Sequence, residues 1–543
     1  MSETFDHLVD TWLAEEMEDA PVRASALGIP GYDDLLGDYS ATRYEKRAGR
    51  DSSWLPRLDA INPEDLSFEQ GIDRDLLRST LRGRLIFQEW AVWRRDPVTY
   101  LNPCLQGVFT LFLHRLRPEA ELVAAASARL RAVPEVLADG RRNLDPELAD
   151  PIVVGRAAEQ CRAAIAYARQ LVPNEVSDAG LRAELGEAGE VAAEAFASFL
   201  PWLEQLGGRA QGSYALGEKL YSALLTDREL LGYGATEMRK RGRAAWDELD
   251  ADMAELAARV NPAVAREEGW HGVVERLNAD HPDSPEAMQA SYERATAQAR
   301  DFLAEHQLVT LPEGEACVVE PSPPFQRPIM AVASYAAPPP FQPGRLGHFF
   351  VPYPPEGTSM DDVQRRLATN SFASIPTIAV HEAYPGHHWH FAWMKDNPRR
   401  LRPVTTTPYF TEGWALYAER MMREQGFFHD PRTELCHLDA RIFRAARIVV
   451  DTSLHIGDMG FEEAVEFMRT RASLSEPTAR AEVGRYCSWP TQAAAYLTGA
   501  LEIERIRSRY LADGRGSLRE FHDAIAGSGA MPIALAERAV TGC

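Results

Sequence analysis

Apolar residues recur at helical spacing through most of the chain. Over residues 3–310 they lie three or four positions apart, as at Leu216, Leu220 and Leu224, among residues that favour helices. Turn-forming residues interrupt this spacing in four stretches, which are 28–34, 96–103, 207–213 and 281–284. The spacing resumes after Asp361 and continues nearly to the last residue. The pattern therefore predicts a mainly α-helical protein.

A proline-rich segment separates the two helical stretches. Residues 312–355 contain PSPPFQRP, APPPFQPG and VPYPP, with short β-prone pieces around 330–335 and 348–353. Because proline has no N–H for a central strand, these pieces are predicted to be edge strands or extended chain. We expect a helical region 1–311, a proline-rich segment 312–360 that lines a deep cleft, and a helical region 361–543. The two helical regions are predicted to form one continuous body.

Composition and charge narrow the classes of partner. Hydrophobic residues make up 45% of the 543 positions, which is ordinary for a globular protein with a large core. Lys and Arg number 58 against 80 Asp and Glu, so the formal charge is -22. Such a surface repels phosphate backbones and anionic lipids. We therefore expect a small-molecule or short-peptide partner, and neither nucleic acid nor a membrane.

The start of the chain and its cysteines bear on the cellular location. Residues 1–20 are acidic and lack the basic start and apolar core of a secretory signal. No stretch approaches the roughly 18 apolar residues of a membrane span. The six cysteines are scattered without a C-x-x-C pair, as is typical of reduced, buried thiols. A cytoplasmic location is predicted.

The segment that carries chemistry is IPTIAVHEAYPGHHWHFAW, residues 375–393. It contains four histidines and one glutamate in a largely apolar setting, which are His381, Glu382, His387, His388 and His390. In the zincin motif H-E-x-x-H, two imidazoles four residues apart share one helix face, and the Glu reaches the metal-bound water. Here the position four residues after His381 is Pro385, and the next histidine is at a separation of six.

A separation of six requires a distorted helix. In a regular helix His387 would point about 240° away from His381, so the two could not bind one ion. Pro385 lacks the N–H that would bond the carbonyl of His381, and Gly386 relaxes the backbone. If the break absorbs two residues, His387 returns to the ligand face. His388 would lie about 10 Å along the axis and is the alternative ligand.

A third ligand is predicted in TEGWALYAERMM. Catalytic zinc sites of the two-His, one-carboxylate type often take a Glu from a following helix, and Glu412 fits, with Thr411 as the helix cap. Glu419 lies on the same face and would hydrogen-bond a ligand histidine. The prediction is a zinc site, or one for another divalent metal, with Glu382 as the base that activates water. The alternative is that these histidines are structural groups at a helix end.

At these residues the chain resembles the bacterial domain-of-unknown-function family 885, which is related in pattern to zincin metallopeptidases. Its hallmark H-E-x-x-P-G-H-H-x-Q and E-G-W-A-L-Y-A-E corresponds to HEAYPGHHWH at 381–390 and EGWALYAE at 412–419. Further similar stretches lie at 23–34, 333–352, 446–468 and 485–499. The resemblance implies a large helical zincin-like body with His381 and His387 as metal ligands and Glu382 as catalytic acid and base.

The chain departs from the family pattern at three positions. His390 stands where the family usually has Gln, Thr491 replaces a Gly, and Tyr335 is the one tyrosine kept in a strand that is usually rich in them. These positions are expected near the substrate rather than the metal. They bear on specificity more than on chemistry.

Four further residues are candidates for contact with the substrate. His455 and Tyr496 would donate hydrogen bonds to a developing oxyanion, although buried residues of both types are at least as often bonded to backbone. Arg345 and Arg485 would bind a substrate carboxylate in bidentate fashion.

The function predicted from these features is zinc-dependent hydrolysis of an amide or peptide bond in a short peptide or amino-acid conjugate. One alternative keeps the metal in a biosynthetic or catabolic enzyme that acts on a non-peptide small molecule. The other is a metal-free binding protein on the same scaffold.

Overall fold

The computed structural model describes residues 4–324, 326–327, 332–355 and 357–542. Helices dominate, so the predicted mainly α class is confirmed. The chain divides into two compact units: Met1–Ala223 with Pro339–Pro343, and Leu224–Pro338 with Gly344–Cys543. In the described part of the chain, no helix is both long and apolar enough to cross a membrane.

The first unit is helical in its described residues. Its helices are α1 (Phe5–Asp19), α2 (Pro21–Ala26), α3 (Ala41–Asp59), α4 (Phe68–Glu89), α5 (Val92–Arg95), α6 (Val98–His114), α7 (Glu119–Asn143), α8 (Pro151–Ala166), α9 (Ala179–Gly207) and α10 (Glu218–Ala223). Each long helix turns an apolar face inward, as α4 does with Ile72, Leu76 and Ile86. Ser67 and Gln70 form a capping box that begins this helix.

The second unit adds a small sheet to its helices. The helices are α11 (Ala235–Val260), α12 (Pro262–Asn278), α13 (Pro285–His306), α14 (Met360–Ala368), α15 (Ile375–Glu382), α16 (His387–Met394), α17 (Pro408–Glu424), α18 (Pro431–Ile456), α19 (Phe461–Arg471), α20 (Glu476–Ser488), α21 (Gln492–Ala512), α22 (Leu518–Gly527) and α23 (Ile533–Thr541). The strands are β1 (Glu315–Pro321), β2 (Ser334–Ala336) and β3 (Arg345–Val351). All the predicted catalytic and metal-site residues lie in this unit.

The sheet has the order β1-β3-β2. Strand β3 pairs in parallel with β1 and antiparallel with β2. The β-prone piece at 348–353 was predicted as an edge, and this is wrong, since most of it belongs to the central strand β3. Pro343 and Pro352 flank β3 and leave its ladder intact. Strand β2 is an edge as predicted, whereas Met330, in the same predicted piece, lies outside the described residues.

Helix boundaries agree with the sequence in part. The loops near 28–34, 207–213 and 281–284 are present, but α6 begins at Val98 and continues through Pro103. The division after Ala223 also differs from the composition change at residue 312, which falls inside the second unit. The single continuous body and the deep cleft stay predictions.

Helix α17 begins four residues before its predicted start. Thr407 caps it by accepting from the Tyr409 N–H, and Pro408 occupies the first position. The predicted cap, Thr411, is therefore an internal residue of the helix. Glu412 consequently lies in the second turn rather than at the helix end.

Helices α17 and α21 touch through their backbones. A Cβ atom added to Gly499 would stand 1.9 Å from the carbonyl oxygen of Tyr409 and 2.8 Å from the Cα of Gly413. No side chain fits such a gap, so both positions need glycine. This crossing fixes the helix that carries Glu412 against the helix that carries Tyr496.

Replacing Gly499 with alanine tests this crossing. Because the new methyl group would overlap backbone atoms, we expect Gly499→Ala to lower the free energy of unfolding by about 1–3 kcal/mol. The urea midpoint of tryptophan fluorescence measures the change. Gly484→Ala is the matched control, because its Cβ would meet nothing within 4 Å and should be neutral or mildly stabilising. Equal midpoints for both variants would contradict the close crossing.

Candidate metal centre

Three side chains from three helices converge in the second unit. His381 lies in the last turn of α15, His387 begins α16 and Glu412 belongs to α17. One ligand atom from each lies within 4.8 Å of the others. The Glu412 Oε2 atom is 3.6 Å from His381 Nε2 and 3.5 Å from His387 Nε2. In a tetrahedral zinc site with bonds of about 2.0–2.1 Å, ligand atoms stand about 3.4 Å apart. The donor types and their separations therefore fit a divalent cation.

A break in the helix brings the two imidazoles together. Helix α15 stops at Glu382 and α16 starts at His387, with a cis peptide bond between Tyr384 and Pro385. The imidazole centroids of His381 and His387 are 4.9 Å apart and their planes are nearly perpendicular. The predicted break is thus confirmed, and His387 faces His381 across it.

The break is held by close backbone packing. The Gly386 N–H donates to the carbonyl of Val380 at 3.0 Å, and a Cβ on Gly386 would stand 1.9 Å from the carbonyl oxygen of His381. From α17, the Trp414 indole N–H donates to the carbonyl of Pro385 at 2.8 Å. Glycine is therefore required at position 386, and the break is tied to the helix that supplies Glu412.

Glu419 orients His381, as the sequence predicts for a ligand histidine. Its Oε1 atom lies 2.7 Å from His381 Nδ1, which leaves Nε2 for the centre. The second carboxylate oxygen is 3.4 Å from Nδ1 of His437, a buried residue of α18. Burial by itself would raise the pKa of the Glu419 carboxyl. Contact with His381 and His437 outweighs this effect, so the pKa falls to about 2. His437 could not be predicted from the sequence, because its spacing to the motif carries no signal.

The electrostatics of the centre favour positive charge. Burial lowers the pKa of His381, but the facing Glu412 and Glu419 carboxylates raise it more, to about 10. Burial also opposes ionisation of Glu412, yet the two imidazoles hold its pKa well below the usual range. The carboxylates of Glu412 and Glu419 would therefore stabilise a cation placed between the imidazoles.

Glu382 lies beside the centre without a fixed partner. Burial raises the pKa of its carboxyl, and the charges of His381 and His387 only partly offset this. In the part of the chain that the structure describes, its carboxylate forms no hydrogen bond or ion pair. It is therefore free to exchange a proton with a group placed between the imidazoles.

His388 belongs to a different cluster and does not face the centre. Its Nε2 atom is 2.8 Å from the Glu315 carboxylate on β1, and its Nδ1 atom is 3.0 Å from the Tyr335 hydroxyl on β2. With both nitrogens engaged, it is not available as the alternative ligand. Its role is to fix the phenol of Tyr335, whose ring stacks over His387 with centroids 6.5 Å apart. Tyr335 is thus at the rim of the centre.

Two of the expected substrate-binding residues are used elsewhere. His390 is fully buried against Phe410 and Trp414, and burial lowers its pKa to about 3. Arg345 donates to the carbonyl of Ala392 at 2.6 Å and pairs with Asp396. Both predictions are corrected. His390 is part of the aromatic packing between α16 and α17, and Arg345 binds the end of α16.

The candidates on α18, α20 and α21 differ in their hydrogen-bond partners. His455 is fully buried, with Nε2 3.0 Å from the carbonyl oxygen of Tyr486, which is the structural use of a histidine. Arg485 bonds Gln492 at 2.5 Å and Glu482 at 3.0 Å. The Tyr496 hydroxyl accepts from the Gln492 side-chain amide at 3.4 Å; burial raises the pKa of this phenol, and the Glu412 carboxylate raises it further.

Two solved structures share this fold. A candidate lipoprotein of unknown function from Shewanella oneidensis superposes with a TM-score of 0.81 at 20% identity, over 98% of this chain and 99% of that one. A candidate lipoprotein from Colwellia psychrerythraea gives a TM-score of 0.82 at 19% identity, over 97% and 96% of the two chains. No curated protein matches the chain. The likeness establishes the fold.

These neighbours overturn the cytoplasmic location predicted from the N-terminal sequence. Both neighbours are described as lipoproteins, a class of protein that is held at a membrane surface by a covalently attached lipid. The prediction rested on the composition of residues 1–20 and on unpaired cysteines. Neither feature determines the compartment in which a helical body of this kind works.

The family of the chain follows from a match over almost its whole length. A single family model covers residues 21–540, which include His381, His387 and Glu412. The chain belongs to the family described as "Bacterial protein of unknown function (DUF885)".

Proposed function

We propose that this protein is a metal-dependent hydrolase that cleaves an amide bond, with His381, His387 and Glu412 as ligands to zinc or another divalent metal. The observation that carries the proposal is the convergence of two imidazole nitrogens and one carboxylate oxygen from three helices. Two histidines, one carboxylate and a neighbouring Glu are the residues of zincin-type catalytic sites. We therefore place the chain with the zincin-like metallohydrolases.

A divalent metal held by His381, His387 and Glu412 would supply a lowered pKa for water and polarisation of the substrate carbonyl group. The remaining chemistry belongs to the side chains. Glu382 takes a proton from water and returns it to the leaving nitrogen, a task that suits a carboxyl whose pKa burial has raised. The Tyr496 hydroxyl, with a raised pKa, donates to the carbonyl oxygen as negative charge develops there.

An amide bond is the favoured target because its leaving group needs a proton. An amine departs only after protonation, so the group that removes the proton from water must also deliver it. Glu382 has no competing hydrogen bond among the described residues and can serve both ends of this transfer. We propose a short peptide or an amino-acid conjugate as substrate.

Metal content tests the ligand assignment directly. We expect about one divalent metal per chain in the purified protein after incubation with zinc, measured by elemental analysis. His387→Ala removes a ligand and should lose the metal, whereas His388→Gln should retain it, since His388 faces Glu315 and Tyr335. The exposed His429→Ala is the control. A metal-free wild type that zinc does not restore would instead favour a metal-free binding protein.

Substitution of Glu419 tests the support of His381. Glu419→Gln keeps the shape of the side chain but removes the charge that faces His381 Nδ1 at 2.7 Å. Because such partners raise ligand basicity, zinc affinity should fall by about 10–100-fold. Competition with a chromophoric chelator measures it, with Glu424→Gln at the exposed end of α17 as control. Unchanged affinity would show that Glu419 has only a packing role.

Substitution of Glu382 separates chemistry from metal binding. Glu382→Gln should retain the metal, while kcat falls by about 10²–10⁴-fold with the loss of proton transfer. Turnover is measured on a set of dipeptides and acyl-amino acids, and metal content is checked on the same samples. Full activity of the variant would refute the assignment of Glu382 as base. No hydrolysis of any amide by the fully metallated wild type would favour chemistry on a non-peptide small molecule.

A further inference from the structure

A guanidinium group stands next to the proposed catalytic residues. Arg444 of α18 lies with its Cζ atom 5.8 Å from the ring centroid of Tyr496. Its positive charge also lowers the pKa of Glu382, against the larger opposing effect of burial. Arg444 thus lies near both the proposed base and the proposed oxyanion donor.

The Arg444 side chain lacks an acidic partner. Within the described residues it forms no ion pair, and its Nη1 donates to the carbonyl of Ala440 at 3.0 Å. Its Nε atom is buried without a hydrogen-bond partner. The edge formed by Nε and Nη2 therefore keeps the two parallel donors with which arginine binds a carboxylate. Leaving such donors unsatisfied is costly unless a ligand completes them.

The neighbouring charges do not neutralise this group. Arg447, whose guanidinium lies 4.9 Å from the Tyr496 ring centroid, and Arg485 both bond the single carboxylate of Glu482. Arg444 also lowers the pKa of Asp439 and of Glu419 through its charge, without an ion pair to either; burial nevertheless raises the pKa of Asp439 to about 7. The side of the centre beyond Tyr496 therefore has an excess of positive charge.

We propose that Arg444 binds a free carboxylate of the substrate, so that the substrate class is an amide whose amino-acid part carries an ionised carboxyl group near the scissile bond. The proposal rests on the hydrolase function proposed above. It replaces the assignment of this role to Arg345 and Arg485, whose guanidinium groups are bonded to Asp396 and to Glu482. Arg444 lies on the same side as Tyr496, so a carboxylate bound there leaves the adjacent carbonyl group near Glu382.

A pair of matched ligands tests this inference without relying on turnover. The probes are the monohydroxamates of succinic and glutaric acid and the same molecules with the carboxyl group replaced by a primary amide. Isothermal titration of zinc-loaded protein gives the affinity of each. We expect the carboxylate probes to bind about tenfold or more tightly than the amides, as for a hydrogen bond to a charged group.

Variants of the same helix assign the preference to Arg444. Arg444→Gln should bring the affinity ratio of the two probes to about one while the amide probes and the zinc content stay unchanged, and Arg444→Lys should keep part of the preference. Arg432→Gln, an exposed arginine of α18, is the control. Circular dichroism confirms that each variant is folded.

The possible outcomes separate the two proposals. The role of Arg444 alone would be overturned if zinc content and amide-probe binding are normal but the wild type does not prefer the carboxylate probes. It would also be overturned if that preference survives Arg444→Gln. Failure of the wild type to bind zinc or any hydroxamate would overturn the proposed hydrolase and this inference with it.

Discussion

The backbone at Gly386 passes so close to the carbonyl groups of Val380 and His381 that no side chain fits between them. This contact lets the chain leave α15 and begin α16 within four residues, with the imidazole of His387 turned toward His381. A continuous helix would have pointed the two rings apart. The hydrogen bond from Trp414 to Pro385 couples the break to α17, so that Glu412 meets both imidazoles. The local backbone path is therefore the basis of the proposed metal centre.

Charge is distributed unevenly around this centre. On one side, the partly buried carboxylate of Glu412 and the buried carboxylate of Glu419 face the imidazoles and favour a cation. On the other side, near Tyr496, the guanidinium groups of Arg444, Arg447 and Arg485 outnumber the single carboxylate of Glu482. A substrate with a polarised carbonyl group and a nearby carboxylate would be oriented by both sides at once. Binding and proton transfer would then be performed by different residues, which is the arrangement that a hydrolase needs.

Several polar residues that looked functional in the sequence proved to have structural partners. Arg345 bonds the end of α16, and His455 bonds the backbone of Tyr486. His388 is next to a proposed ligand but faces Glu315 and Tyr335. Residue type and position in a motif do not say which way a side chain points or which carbonyl group it meets. Arg444 shows the converse, since its isolation from acidic partners is visible only in three dimensions.

Residue order alone was enough to predict the helical class, the break between His381 and His387, and the pairing of that motif with Glu412 and Glu419, because helical periodicity and the properties of proline and glycine act locally. Four features depended on tertiary structure: the central position of β3, the contact of Glu419 with His437, the hydrogen bonds of Arg345, and the buried Nε of Arg444 that has no partner. They arise from elements far apart in the chain, and their contacts are set by packing rather than by any spacing in the sequence.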